Sequence, residues 1–222
     1  MLAIYTFHWY PALKTVPAML VGALTTLQVS AVSMCIGVSA AVFLALAAGS
    51  EKAWLRYLSS AWVSVARNTP ALFQIYIAYF GLASIGVYLD SLPALVAGIS
   101  FNNAGYLSET FRGGLKAIPR TQMLAARSLG MTAPRAFWEI IFPQMFRVVF
   151  FPMTNQMVWA VLMTSLGVIV GLNSDLMGVT QELNTKSFRT FELFLIAAVI
   201  YYVISKSMVL TARLLAWRMF KY

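Results

Sequence analysis

The sequence has few of the residues on which most enzymes and soluble proteins depend. Only 10% of its 222 residues are charged, against about a quarter in an ordinary soluble domain, and seven of them are acidic. The single cysteine, Cys35, excludes an internal disulfide, and the single histidine, His8, gives little support for histidine catalysis or for most metal sites. The motif G-x-x-x-x-G-K-[ST] is absent, so no nucleotide chemistry is expected in this chain. These shortages exclude an ordinary soluble enzyme and a disulfide scaffold.

Apolar sequence takes the place of those residues. Hydrophobic residues make up 60% of the chain, and the mean hydropathy is +0.77. A membrane-spanning helix needs about 20 predominantly apolar residues, and charged residues divide this chain into five stretches of suitable length. The sequence therefore predicts an all-α polytopic membrane protein, one domain over residues 1–222. The five predicted spans cover residues 18–47, 57–88, 91–111, 147–173 and 191–215.

The basic residues predict the orientation of these spans. If the N-terminus lies outside, the three inner segments hold two, six and three lysines or arginines, and the outer segments hold three in all. This asymmetry follows the rule that positive charge stays on the cytoplasmic side. It places the C-terminus in the cytoplasm and explains the net charge of +9 without nucleic acid. Attraction of the inner segments to anionic lipid is compatible with it.

The long inner segment, residues 112–146, departs from the membrane pattern. Gly113 and Gly114 are expected to loosen the end of the third span. Thr121 stands where an N-cap belongs, and Gly130 is placed to end the short helix that follows. A second short helix is expected to begin near Thr132. From composition alone, two readings stay open: a plug for a partner's groove, or an amphipathic helix lying on lipid.

Six blocks of sequence resemble the permease subunits of ABC importers, most closely the amino-acid branch. The central block is similar to the family's EAA loop, and the others occur in the family's order and spacing over roughly residues 20–215. The blocks are residues 67–72, 104–114, 118–120, 122–130, 140–144 and 164–166.

This resemblance implies a type I importer-like permease whose inner loop docks on a separate ATPase. It also implies an ATPase dimer that binds ATP and Mg, a second permease subunit, an extracytoplasmic solute-binding protein and an amino-acid substrate. No cofactor is expected on this chain itself. The residues expected to couple to the ATPase are Arg120, Gln122, Leu124, Ala125, Ala126, Arg127, Leu129, Gly130 and Met131.

Two positions depart from the family pattern. Leu124 replaces the glutamate that names the EAA loop, which removes one charge-assisted contact and leaves the helical plug. Leu162 and Met163 stand where members of the family often carry a charged or polar pair ahead of Thr164. This second departure suggests that the chain pairs with an unlike permease subunit, which carries more of the substrate site.

Polar residues inside the predicted spans are candidates for the translocation path, because such residues are costly in lipid and usually face protein or water. Each candidate has a structural alternative: Arg67 can reach the inner headgroups, and the others can form hydrogen bonds between helices. Gln156 and Thr164, eight residues apart, are expected to share one helix face. The path candidates are Arg67, Thr69, Gln74, Gln156, Thr164 and Ser165.

Other residues have expected structural roles. Pro70 bends the second span, Glu109 pairs with Arg112 across one helical turn, and Pro143 belongs to the family's block near the fourth span. The glycines in Gly167-Val168-Ile169-Val170-Gly171 predict either a close helix contact or part of a dimer seam. The outer loop, residues 172–190, either meets the binding protein or simply connects two spans.

A self-contained secondary carrier or channel is the alternative function. Such a carrier would often show an internal repeat and a membrane-embedded acid for ion coupling. The sequence has no evident repeat, and Glu109 is the one acid deep enough to consider. Co-purification of an ATPase separates the two functions.

Overall fold

The computed structural model describes residues 5–220, and this part of the chain is helical with short connections and no strand. Residues 1–4 and 221–222 of the predicted domain, with the inner lysine Lys221, lie outside the described residues. Several helices change pitch along their length, which gives a π-turn or a 3₁₀ segment in continuity with an α-helix. The helices are α1 (Trp9–Leu13), α2 (Val16–Ala48), α3 (Ala53–Asn68), α4 (Ala71–Tyr76, continued by a π-turn over Ile77–Gly81), α5 (Ser91–Lys116), α6 (Arg120–Ser128), α7 (Ala133–Ala136, continued by a π-turn over Phe137–Ile141), α8 (Phe142–Met163, continued by a 3₁₀ segment over Thr164–Val170), α9 (Leu176–Ser187) and α10 (Thr190–Met219).

Helix α5 lies at the centre of the bundle and contacts α2, α3, α4 and α8. Small residues allow these close approaches. A Cβ added at Gly37 of α2 would lie 2.6 Å from Cβ of Asn103, and one added at Gly98 would lie 2.6 Å from Cγ1 of Ile75. The apolar core around α5 is built from Val29, Ile75, Leu95, Ile99 and Ala160.

Three helical stretches among the described residues are long and apolar enough to cross a membrane: Val16–Ala48, Ala133–Val170 and Thr190–Met219. A shorter apolar helix covers Ala71–Gly81. Helix α5 is long, but it is less apolar because it contains two asparagines and three charged residues near its inner end. Both asparagines are buried among neighbouring helices, where a polar side chain does not meet lipid. The count of five spans therefore stays a prediction.

The second predicted span, residues 57–88, is not one continuous helix. Helix α3 ends at Asn68, Thr69 and Pro70 are extended, and α4 begins at Ala71. Proline has no N–H to continue the helix and disfavours helical geometry in the residue before it, so Pro70 breaks the helix rather than bending it. The helical structure that follows extends through the turn at Gly81 and Leu82 and ends well before residue 88.

The inner segment differs from expectation at its start and agrees with it further on. Gly113 and Gly114 do not loosen the third span, since α5 continues to Lys116; Gly114 instead lets α8 approach, because an added Cβ would lie 2.3 Å from Cγ1 of Val149. Thr121 is not an N-cap, because Pro119 precedes the helix and α6 begins at Arg120. Gly130 does end that helix, with a φ of +84°.

The predicted outer loop contains a helix. Asp175 is buried and caps α9, because its carboxylate accepts hydrogen bonds from the N–H groups of Met177 (3.2 Å) and Gly178 (3.0 Å). Burial raises the pKa of the Asp175 carboxyl, and the two N–H donors oppose this shift. Of the paired glycines before this loop, Gly167 packs against Leu95, while Gly171 has a φ of +80° and ends the 3₁₀ segment. The Gly167–Gly171 motif is therefore not a regular α-helical contact.

Candidate translocation path and coupling surface

Two clefts lie beside the break between α3 and α4. The first, named the inner cleft because the predicted topology puts this end of the bundle in the cytoplasm, has a mainly polar lining and a volume of about 630 Å³, and it lies between α3 and the last turns of α5. The second cleft, of about 660 Å³, lies beside the break and reaches α8. Arg67, Asn68 and Tyr106 line both clefts, so the two clefts adjoin at these residues. The second cleft also contains Thr69, Asn102, Gln156 and Trp159 in its wall.

Arg67 stands where the clefts join. Its side chain is about half exposed, its guanidinium lies 5.6 Å from the centre of the Tyr106 ring, and its Nη1 lies 3.8 Å from Oε2 of Glu109. The same Glu109 oxygen accepts a hydrogen bond of 2.7 Å from Arg112. The structure thus contains the predicted pair across one turn of α5 and adds Arg67 from α3. This ion network links the two helices that form the inner cleft.

The break itself is closed by two amide side chains. Pro70 cannot donate a hydrogen bond to the carbonyl of Ala66, and Gln74 does so in its place through Nε2 at 2.9 Å. Asn102 of α5 also donates to Ala66 O, at 3.2 Å, and to Oε1 of Gln74, at 3.1 Å. Gln74 also donates to Thr69, so both carbonyls at the break have partners. Gln74 is therefore buried behind the cleft and is not on its wall, contrary to expectation.

Replacement of Gln74 by leucine is expected to destabilise this break. The change keeps the volume and removes the donor to Ala66 and the acceptor from Asn102. Membrane hydrogen bonds contribute about 0.6 kcal/mol on average and about 1.7 kcal/mol at most, so a loss of about 1–2 kcal/mol is expected. A lower midpoint in detergent thermal unfolding measures it; an unchanged midpoint would show that water replaces the amide. Gln181, an exposed glutamine of α9, serves as control.

The α8 residues are divided between the cleft and the core. Gln156 lines the second cleft and donates a hydrogen bond to Oδ1 of Asn103 at 2.9 Å. Thr164 is fully buried and donates to the carbonyl of Val161, and Ser165 is half-buried and donates to that of Leu162. The structure therefore places Gln156 on the cleft wall and Thr164 in the packed interior, at the residue where the helix changes from α to 3₁₀ geometry.

Several residues that line the clefts were not assigned to a site from the sequence, among them Asn102, Tyr106 and Trp159. Asn102 is a polar residue in a short apolar stretch, and Tyr106 and Trp159 resemble ordinary packing or lipid-facing residues. The signal for Asn102 was its position beside a second asparagine in an apolar stretch, where an unpartnered amide is costly. Nothing in the sequence alone distinguishes Tyr106 and Trp159 from the other aromatic residues.

Helix α6 is held against the start of α8 by one buried alanine and one pair of amides. Ala126 is buried, and Nε2 of Gln144 donates hydrogen bonds to Gln122 and to the carbonyl of Ile140. Pro143 lies in the first turn of α8, directly after the π-turn over Phe137–Ile141. Ala126 and Gln122 thus position α6; Ala126 is not on the exposed face, and its role in coupling stays a prediction.

The other face of α6 is exposed. Leu124 and Leu129 keep 64% and 84% of their accessible surface. Arg120 and Arg127 are exposed beside them, and Nη1 of Arg127 donates to the carbonyl of Met131 at 3.1 Å. The N–H of Met131 bonds to the carbonyl of Ala126, which is the pairing that a left-handed residue such as Gly130 allows at a helix end. We define the coupling surface by its exposed members: Arg120, Leu124, Ala125, Arg127, Leu129 and Gly130.

The chain is similar to several permeases of known systems. It is 32% identical over 213 residues to the octopine transport system permease protein of Rhizobium radiobacter, with 92% of this chain and 86% of that protein covered. It is 30% identical to the L-cystine transport system permease protein of Bacillus subtilis (strain 168), with 89% and 84% covered.

Solved structures show the same fold. An amino acid ABC transporter solved with histidines matches with a TM-score of 0.89 and 28% identity, covering 96% of this chain and all of that one. An inward-facing methionine ABC transporter matches with a TM-score of 0.66 at 17% identity. The family model described as "Binding-protein-dependent transport system inner membrane component" matches residues 37–221. The chain therefore belongs to the family of inner-membrane components of binding-protein-dependent transport systems, as a permease subunit rather than an enzyme.

Proposed function

We propose that this permease imports amino acids through the two joined clefts and is coupled by α6 to a separate ATPase. The observation that carries the proposal is the placement of α6: buried on one side by Ala126 and fixed by the Gln122–Gln144 bond, it presents two exposed leucines and two arginines on the other. A short helix held rigidly in this way can transmit a push without changing its own conformation. The names of the relatives support amino acids as the substrate class.

The proposed assembly contains an ATPase dimer, a second permease subunit and an extracytoplasmic solute-binding protein. ATP and Mg act in the ATPase. We assign five spans, an outer N-terminus and a bacterial inner membrane to this chain, since that orientation puts α6 on the cytoplasmic side. It puts α9 outside, where its exposed Gln181, Glu182 and Lys186 are available to the binding protein.

An unlike partner subunit is the proposed form of the permease pair. Ahead of Thr164, this chain offers Leu162, partly exposed, and Met163, which is buried in the apolar core. Neither side chain holds a charged group of a zwitterion, so the partner would carry that part of the substrate site. Affinity purification of the assembled importer should yield two different permease chains; a complex that contains this permease alone and transports at the full rate would contradict the unlike pair.

Substitution of Gly130 by arginine is expected to abolish co-purification of the ATPase while membrane insertion stays normal. Gly130 has a left-handed backbone, which costs roughly 1–2 kcal/mol for other residues. An added Cβ would meet no atom within 4 Å, so the expected effect comes from the backbone turn and not from a clash. The turn sets the position of the coupling surface relative to α7.

Gly113→Arg is the matched control, because Gly113 is an exposed glycine of the same inner region, also with nothing within 4 Å, in regular helix. It adds the same charge without left-handed strain, and the ATPase should co-purify with it. Retained association and transport in Gly130→Arg would instead favour a self-contained carrier or channel.

A further inference from the structure

The inner cleft contains more positive than negative charge. Its walls carry three guanidinium groups, those of Arg56, Arg67 and Arg112, and one carboxylate, that of Glu109. Hydroxyl and amide groups from Ser59, Ser60, Ser64 and Asn68 fill much of the remaining wall. One small anion can therefore enter and still leave the cleft without negative excess.

The three arginines are held to very different degrees. Nη1 of Arg56 donates to the backbone carbonyls of Ser50 (2.9 Å) and Glu51 (2.6 Å), which ties this side chain to the turn before α3. Arg112 donates to Glu109 at 2.7 Å. Arg67 lies 3.8 Å from the same carboxylate, beyond hydrogen-bond distance, and the central carbon of its guanidinium lies 5.6 Å from the centre of the Tyr106 ring. Arg67 is thus the guanidinium that is most easily drawn to another anion.

The arrangement also protects Glu109 when Arg67 turns away. Removing one partner from an ion pair is costly when the other charge is left alone. Here Arg112 stays in place at 2.7 Å, so Glu109 keeps a cation. Arg67 can therefore exchange one carboxylate for another with no charge left unpaired.

From these contacts the geometry points to a carboxylate site at Arg67. There a solute's carboxylate replaces Glu109 as the partner of Arg67, while Arg112 keeps its hydrogen bond to Glu109. This inference rests on the proposed function and deepens it: the site lies at the junction of the two clefts, and it accepts the carboxylate of the solute on its way inward. A guanidinium presents two parallel N–H donors that match the two oxygens of a carboxylate. Asn102 and Gln156, on the wall of the second cleft, lie on the other side of this junction.

Two substitutions that should change the affinity for a carboxylate in opposite directions test whether the solute replaces Glu109 at Arg67. Glu109→Gln removes the competitor for Arg67, so a carboxylate should bind more tightly, by about tenfold. Arg112→Gln removes the second cation beside Glu109 and leaves Arg67 as the cation that pairs with it. Binding of a solute's carboxylate should therefore weaken by about tenfold or more. Arg67→Gln should abolish binding, and Arg67→Lys should restore it only in part, since an ammonium lacks the parallel donors. A purely structural role for this network would weaken binding in every variant.

Arg56→Gln is the matched charge control. It lowers the charge of the same cleft by one unit, as Arg112→Gln does, but Arg56 donates its hydrogen bonds to the backbone carbonyls of Ser50 and Glu51 and not to Glu109. If exchange governs the site, Arg56→Gln should weaken binding less than about threefold, which is the scale of a screened surface charge. An equal loss in Arg56→Gln and Arg112→Gln would show that net charge alone acts, and would overturn the exchange.

The experiment titrates ¹³C-labelled acetate, the smallest carboxylate probe, into the full chain in lipid nanodiscs and follows its NMR line broadening. Acetamide and inorganic phosphate are titrated in parallel at constant ionic strength. Saturable acetate binding with the predicted order of variants supports the site. Equal binding of acetamide, tighter binding of phosphate, or no loss in Arg67→Gln overturns it. ATPase co-purification and uptake of labelled amino acids report separately on the proposed function, so either can fail without the other.

Discussion

Replacement of Leu129 by aspartate is expected to remove the ATPase from the purified complex. Leu129 is 84% exposed at the end of α6, and Leu124, five residues earlier, is 64% exposed. Central apolar residues of an interface cost about 2 kcal/mol or more when lost, and a buried aspartate without a partner adds to this cost. A fall of at least about 30-fold in affinity is therefore expected, measured by co-purification and by ATPase activity in proteoliposomes.

The fold of the permease should not change, because Leu129 has few intramolecular contacts to lose. Ile85→Asp provides the comparison, since Ile85 is also a strongly exposed aliphatic residue, 74% exposed, but lies in the turn between α4 and α5, on the proposed outer side. This variant should retain its ATPase. Equal loss of the ATPase in both variants would mean that the effect is general destabilisation, and retention in both would remove α6 from the interface.

Substitution of Gly98 by alanine is expected to cause a large loss of stability. An added Cβ would lie 2.6 Å from Cγ1 of Ile75, 2.8 Å from its Cα and 2.9 Å from its N. The methyl group cannot be accommodated by a rotamer change alone, because two of these atoms belong to the backbone of α4. Overpacking of this kind costs about 1–3 kcal/mol, and the displaced α4 carries the break that forms the cleft wall.

Thermal unfolding of the purified chain and transport in proteoliposomes should both decline in Gly98→Ala. In Gly113→Ala the same change falls in regular helix with open space around it, where alanine is the better helix former, and stability should be equal or higher. A Gly98→Ala protein as stable as Gly113→Ala would show that α4 and α5 are not in firm contact.

The sequence predicted those features that depend on local chemistry. Long apolar stretches identified α2 and α10 because lipid demands uninterrupted apolar length, and Gly130 was recognised because a left-handed residue after a helix favours glycine. The ion pair between Glu109 and Arg112 followed from their spacing on one helix. These inferences need only the residues near each position.

Features that depend on packing between distant segments were missed. In the sequence, Gln74 is a polar residue within a predicted span. Its role in closing the helix break depends on hydrogen bonds with the carbonyl of Ala66 and with Asn102, which only the folded bundle brings close to it. Thr164 is fully buried and is not on the cleft wall, because the 3₁₀ segment that it begins packs against α5 and α9. Arg67 could not be linked to Glu109 from spacing, since 42 residues and a helix break separate them.

Cross-linking from α6 tests most directly whether this permease is driven by a separate ATPase. In a Cys35→Ser background, which removes the natural cysteine, cysteine is introduced at Leu129 or, as the outer comparison, at Ile85. The assembled importer in native membranes is labelled at the introduced cysteine with a short maleimide that carries a photoreactive group, and it is then irradiated, so that no cysteine is needed on the ATPase. We expect a cross-link between the ATPase and the chain with cysteine at 129, and none with cysteine at 85. An intact importer with no cross-link from 129, or with equal cross-linking from both positions, would contradict coupling through α6.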